Sequence, residues 1–250
     1  MARGLPQAPS DDDALAVALV MHDELADAGQ ANRASRIADA AEALLDRTMA
    51  LRNKGLTPAC RKGCGWCCWQ RVTCTAPEVF RVAEWLRANA GRAGVPTLAS
   101  IAAAEASDEG VVPTAALANR RPCALLVDNA CGIHPGRPIP CRAVLSMSAE
   151  ACRDAMIDPA NAAPVPLFVG SLDIAEVVRT LMLATVTANG LSDAGYDLVG
   201  ALALVLPDET AEQRWLAGED VLATVATAPR TPAARNTQTR LAQMVKALDE

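Results

Sequence analysis

Five cysteines stand in the run CRKGCGWCCWQRVTC, at Cys60, Cys64, Cys67, Cys68 and Cys74, and four more follow at Cys123, Cys131, Cys141 and Cys152. All nine thiols of the 250-residue chain fall between residues 60 and 152. A thiolate is a strong, soft ligand, so thiols bunched this closely either staple a secreted domain or hold zinc, iron or an iron–sulfur cluster. Cys64-Gly65-Trp66-Cys67 is a pair that can converge on one metal, since Gly63 and Gly65 are free to take turn conformations closed to other residues. Adjacent Cys67 and Cys68 point to different sides of an extended backbone. They are more easily given to two metals, or to a polynuclear cluster, than to one tetrahedral ion. The spacing Cys60-x3-Cys64-x2-Cys67 is also that of radical S-adenosylmethionine enzymes, but those motifs follow the first strand of a βα array, and no such array follows here.

Metal is favoured over disulfides by the rest of the chain. The start MARGLPQAPSDDD has one Arg, no apolar stretch and then three acids, the wrong order for a signal peptide. The apolar run at 14–21 is too short to span a bilayer, and the longer one at 165–191 is interrupted by Asp173, Glu176 and Arg179. The expectation is a cytoplasmic chain without a membrane segment, in a compartment where disulfide frameworks do not persist. A net charge of −6 and a pI near 5.1 argue against nucleic acid as a partner. Between residues 52 and 92, however, eight bases face two acids. These cations can offset thiolate charge, or they can dock an unidentified, anionic protein partner.

The elements that must position the thiols are helical. Hydrophobic residues make up 51% of the chain, yet only seven are aromatic, and the abundance of Ala predicts helices with little or no sheet. After a disordered lead at 1–10, capped by the acids at 11–13, a helix with the stripe Leu15, Ala18, Leu19 and Ala26 is expected, with His22 packed on it. A break at 29–32 separates it from a second helix striped by Ile37, Ala41, Leu44, Leu45 and Met49. Thr75 and Glu78 have capping-box spacing around Pro77, which predicts a helix running to about residue 90. A short helix at 96–106 precedes a Gly/Pro break at 110–113. The Gly- and Pro-rich stretch 122–140 places Cys123, Cys131 and Cys141 on turns, with a hairpin over 124–133 tipped by Asp128-Asn129. Helices are expected at 167–189, 193–206, 209–226 and 232–248. The organisation is therefore N-terminal helices at 11–57, a cysteine-cluster domain at 58–158, and a helical region at 159–250 packing on it.

From Cys123 onward the motifs acquire a precedent. Cys123-Ala124-Leu125-Leu126, then Cys131-Gly132-Ile133, then Arg137-Pro138-Ile139-Pro140-Cys141-Arg142, taken with CRKGCGWCC and Glu78, resembles the YkgJ-type CxxCxxCC family of zinc- or iron-chelating cysteine-cluster proteins. Cys152 matches the last cysteine of that pattern, and the resemblance spans residues 58–155. It implies chelation of Zn²⁺ or iron, the latter as an iron–sulfur cluster, by Cys60, Cys64, Cys67, Cys68, Cys123, Cys131, Cys141 and Cys152. Some relatives with related cysteine patterns resemble protein lysine methylases. The first spacing is three residues where many members have two, and His134 stands where an aromatic is usual. His134 is thus either an extra ligand or a solvated turn residue. Cys74 has no counterpart and reads as a small buried hydrophobe. Arg137 and Arg142 flank Cys141, either donating toward thiolate sulfur or pairing with Glu78 or another acid. Trp66 and Trp69 can shield the site from water.

With two histidines, no nucleophile-elbow sequence and no phosphate or dinucleotide loop, hydrolase and nucleotide-binding functions are poorly supported. The expected protein is a mainly α, metal-chelating one, with a helical framework around an irregular cysteine core and no identifiable catalytic apparatus. The alternative is an iron–sulfur-dependent redox or group-transfer, methylase-like enzyme.

Overall fold

The structure is a computed structural model that describes residues 10–61, 63–108, 121–158, 160, 162–168, 170–227 and 232–247. Of the expected lead at 1–10, residues 1–9 lie outside these residues, as does the break at 110–113, while Ser10 belongs to the first helix's cap. Helix α1, Asp11–Ala26, is capped by Ser10, whose hydroxyl accepts the Asp13 amide at 3.1 Å, so the cap precedes the acids expected to provide it. Asn32, left-handed at φ 57°, turns the chain into α2, Arg33–Arg52. There follow β1, Thr73–Thr75; α3, Ala76–Ala88; α4, Leu98–Asp108; and the hairpin strands β2, Leu126–Val127, and β3, Ala130–Cys131. Two short helices come next, α5, Ile139–Ala143, and α6, Ala149–Ile157. The rest is α7, Ser171–Ala188; β4, Gly195–Asp197; α8, Leu198–Val205; α9, Ala211–Leu216; and α10, Pro232–Lys246. Among the described residues the chain is mainly α, with two two-stranded sheets.

The core is one apolar cluster. Helix α2 is its hub, lying against α1, α3 and α7, while α10 closes the far side of α7 and α1. The stripe Ile37, Ala41, Leu44, Leu45 and Met49 is buried as its periodicity demands. In α1 the phase differs from the expected one: Val17, Ala18, Met21, His22 and Leu25 are buried, whereas Leu15 and Leu19 are exposed. Helix α1 reads ALAVALVM along its middle and is apolar nearly all round, so periodicity selects no face and contact with α2 and α7 decides.

Two expected helices begin late or end early. Residues 195–197 form β4, antiparallel to β1 with Cys74 opposite Tyr196, and α8 starts only where the Asp197 carboxylate accepts the Gly200 amide. The helix expected over 209–226 stops at Leu216, because Gly218 takes φ 95°. The β1–β4 pair fastens the cysteine segment to the helical body, with the Leu198 amide adding a bond to the Val72 carbonyl at 2.9 Å.

Candidate metal centre

A cleft of about 1070 Å³ is lined by Cys60, Cys64, Cys67, Cys68, Cys123, Cys131, Cys141 and Cys152. Cys74 is absent from its wall. It sits in β1 with no exposed surface, packed in the core, where burial pushes its thiol well above the ordinary value. None of the nine thiols is in a disulfide.

Each wall of the cleft has a local cause. The loop after α2 delivers Cys60 to Ser146, whose amide donates to the Cys60 sulfur at 3.4 Å, while the Ala59 amide bonds the Ser146 carbonyl at 2.8 Å. A 3₁₀ turn at Trp66–Trp69 carries Cys67 and Cys68, in place of the extended backbone expected there. The Cys123 amide then bonds the Cys68 carbonyl at 2.6 Å, joining the two cysteine stretches through backbone. The hairpin follows, with Asp128 and Asn129 at φ 49° and 58° as the expected tip requires. Asn129 reaches back to donate to the Gly63 carbonyl at 3.0 Å. A Cβ on Gly65 would lie 2.8 Å from the Asn129 side-chain oxygen, so glycine is needed for the tip to close over the first loop.

Glu78 and the prolines place Cys141. One Glu78 carboxylate oxygen accepts the Thr75 amide and hydroxyl, each at 2.8 Å, completing the expected capping box. The other accepts the Ile139 amide at 2.9 Å, so one wholly buried acid caps α3 and fixes the start of α5. Cys141 is therefore helical and not on a turn as expected. Proline in the first turn of a helix lacks only a donor the helix does not use, so Pro140 opens α5 where composition suggested a break. Cys152 rides on α6, which Ser148 caps by accepting the Ala151 amide at 3.0 Å and which lies against the Trp66–Trp69 turn.

The two flanking arginines divide their tasks. Arg142 pairs with Glu42 and Asp46, each at 2.8 Å, and donates to the Pro135 carbonyl, also at 2.8 Å. It braces backbone, and its acid is Glu42 and not Glu78. Arg137 lines the cleft, donates to the His134 carbonyl at 3.0 Å and lends positive charge to Cys67, Cys131 and Cys141. Arg61, Arg71 and Arg92 line the wall too, against Asp128 as the one carboxylate there among the described residues.

Thiol chemistry varies along the wall. Cys68 hydrogen-bonds to both Cys67 and Cys131. These bonds, aided by Arg137, hold Cys67 down to about 6 and Cys131 down to about 7, while the Cys68 thiol is pushed up. Burial pushes Cys123 up to about 11 and raises Cys60 and Cys141 as well. A ready thiolate and a soft sulfur wall suit a borderline or soft cation, and the nearby guanidinium charge offsets ligand charge. Among the described residues, no group of three or more His, Cys, Asp or Glu is arranged to hold a metal ion as it stands. The sulfurs face one space without converging on one point.

His134 lines the same wall, on a 3₁₀ turn, and burial beside Arg137 and Arg142 lowers its imidazole. His22 is buried in α1 and takes no part. Trp66 borders the cleft, whereas Trp69 borders a smaller neighbouring hollow. Trp85 is a further wall residue that the sequence did not single out. It lies on α3 against Gly136, where any Cβ would come within 2.7 Å of its ring. Ser146 and Asn129 were likewise not singled out as site residues; only the Asp-Asn hairpin tip carried a local signal for the latter.

No family model, no curated protein and no solved structure matches this chain. No helix of the described residues is long and apolar enough to cross a membrane.

Proposed function

We propose that the protein chelates metal, as Zn²⁺ or as an iron–sulfur cluster, through Cys60, Cys64, Cys67, Cys68, Cys123, Cys131, Cys141 and Cys152, and that it works in a reducing, cytoplasmic setting. One observation carries the reading: a single cleft gathers these eight thiols from 93 residues of chain and leaves the ninth in the core. The resemblance to the YkgJ-type cysteine-cluster family belongs to the same proposal. Chelated metal would cross-link the loop at 60–68, the hairpin, α5 and α6, supplying stability that a chain this rich in turns lacks there. Closing the sulfurs onto metal would draw these walls inward, so the metal-loaded protein should resist proteolysis and thiol alkylation better than the metal-free one.

The second reading, an iron–sulfur-dependent redox or group-transfer enzyme, draws on the cleft's volume, about 1070 Å³, which leaves space beside a metal for a small molecule.

Metal analysis with thiol titration on protein purified with and without air tests both. A colourless protein with stoichiometric zinc and few titratable thiols supports chelation and removes the iron–sulfur enzyme. A brown protein with a visible charge-transfer band supports iron–sulfur. Nine freely titratable thiols in folded, metal-free protein as purified would sink both readings.

A further inference from the structure

The wall of the cleft carries more positive charge than the carboxylates around it answer. Elsewhere Arg36, Arg81, Arg142, Arg153 and Arg214 each meet an acid, in a chain with 29 acids against 23 bases. At the cleft Arg71 pairs with Asp197 at 3.0 Å, but Arg61, Arg92 and Arg137 meet no carboxylate among the described residues. A guanidinium that faces a cavity without a counter-ion is suited to an anion, because its N–H groups donate in a fixed fork.

The fold brings Arg92 and Arg137 to the same end. Asn89 caps the end of α3: its side-chain amide donates to the Trp85 carbonyl at 2.8 Å, and its side-chain oxygen accepts from Arg92 Nη1 at 2.7 Å. Two successive turns hold the Arg92 backbone, whose amide bonds the Asn89 carbonyl and whose carbonyl accepts the Val95 amide, each at 3.2 Å. That loop is pressed onto the exit of the hairpin, where a Cβ on Gly132 would lie 2.7 Å from the Gly94 carbonyl oxygen. The His134–Gly136 turn follows and packs on the Trp85 ring. Arg137 leaves it with Nε on the His134 carbonyl at 3.0 Å. Arg92 therefore keeps its Nε–Nη2 edge for a ligand, and Arg137 keeps both Nη groups. Trp85 and His134 line the same stretch of wall.

We propose that this end of the cleft binds a small organic anion, gripped through a carboxylate or phosphate group by Arg92 and Arg137, with its apolar part against Trp85. The Nε–Nη2 edge of Arg92 matches two oxygens of either group at once, and Arg137 supplies a second set of charged donors. A cleft of about 1070 Å³ has the size of a small-molecule pocket and exceeds what an ion alone needs. Cys131 precedes Gly132, and Cys141 lies four residues beyond Arg137, so the bound molecule sits beside the sulfur wall. The anion site stands on its own arginines and does not rest on the chelation reading.

Inorganic phosphate and succinate are the probes, titrated calorimetrically into the full-length protein as purified, with chloride as the reference salt at constant ionic strength. One probe or both should bind saturably at one site per chain. Phosphate alone marks a phosphate ligand, succinate alone a carboxylate, and both the shared charge. Arg92→Gln and Arg137→Gln should each weaken that binding about tenfold or more, since each removes charged hydrogen bonds. Arg36→Gln, outside the cleft, should bind as the parent does. Phenylglyoxal, which modifies arginine, asks the same question without a variant: saturating probe should protect Arg92 and Arg137 in peptide maps, and leave Arg36 unprotected. If a variant does not fold, the protection map decides. No saturable binding of either probe, or binding that neither protects these arginines nor weakens in the variants, overturns the site; the second result would mark an adventitious ion only. Metal content measured on the same samples reports on chelation separately.

Discussion

Around Ile37, Ile174 and Trp215 the chain reaches complete burial with apolar side chains; around the thiols the same depth is reached by Glu78, Ser146 and Glu42. The first region is held by area removed from water, spread over α1, α2, α3, α7 and α8, so no single group decides it. The second is held by a few directed bonds: Asn129 to Gly63, Glu78 to Ile139, Arg142 to Glu42, and Cys123 to Cys68. Apolar packing tolerates adjustment, whereas a buried polar bond is all-or-nothing, since losing one partner strands the other. The difference teaches that the helical body can stand without metal while the cleft walls depend on clamps and on whatever the sulfurs hold.

The largest expected effect breaks the first region and should leave the second's metal chemistry unaltered in protein that still folds. Trp215→Ala removes a fully buried ring that packs at 5.7 Å from Phe80, and should cost about 4 kcal/mol in denaturant unfolding. Metal content per folded chain should not change; a fall would mean the two regions are one cooperative unit.

Glu78→Ala strikes where they join. It strands the Thr75 and Ile139 amides and should cost about 3 kcal/mol, with loss of metal affinity as Cys141 shifts. Unchanged affinity in a destabilised protein would show that Glu78 only caps α3.

Glu42 gives a pH signature. Burial pushes its carboxyl from the ordinary 4.5 up to about 7, against the pull of Arg142 and Arg81. With the folded value above the unfolded one, the contribution of its protonation is full below pH 4.5 and is lost as pH rises through about 7, by up to about 3 kcal/mol. Glu42→Gln should flatten the dependence of Tm on pH across that window, and a profile identical to the parent's would refute it.

The smallest effect separates Cys74 from the other thiols. Cys74→Ser places a hydroxyl in an apolar site and should cost about 1–2 kcal/mol while metal stoichiometry stays constant. Equal metal loss from Cys74→Ser and Cys141→Ser would overturn the separation of core thiol from cleft thiols.

Much of this was legible before any coordinate. The stripe on α2, the Thr75–Glu78 box and the hairpin tip at Asp128-Asn129 are local codes, in which a few neighbouring residues fix backbone geometry. Cys74 is set apart only by the resemblance, which offers it no counterpart, and its burial in β1 is a finding of the structure. The face of α1 could not be read, because a helix apolar on every side names no partner. Nor could the helical start of α5, because Pro-rich sequence codes for both breaks and first turns.

The sequence by itself determined that nine thiols lie between residues 60 and 152 of a helical chain with few aromatics. Tertiary structure decided that eight of the nine share one cleft, that Arg137 faces them while Arg142 serves Glu42, and that Cys60 is bonded to Ser146 and Cys68 to Cys123. Those bonds join residues 86 and 55 positions apart in the chain. Spacing along a sequence constrains only neighbours within a turn or two; contacts over such distances are chosen by the packing of the elements between them.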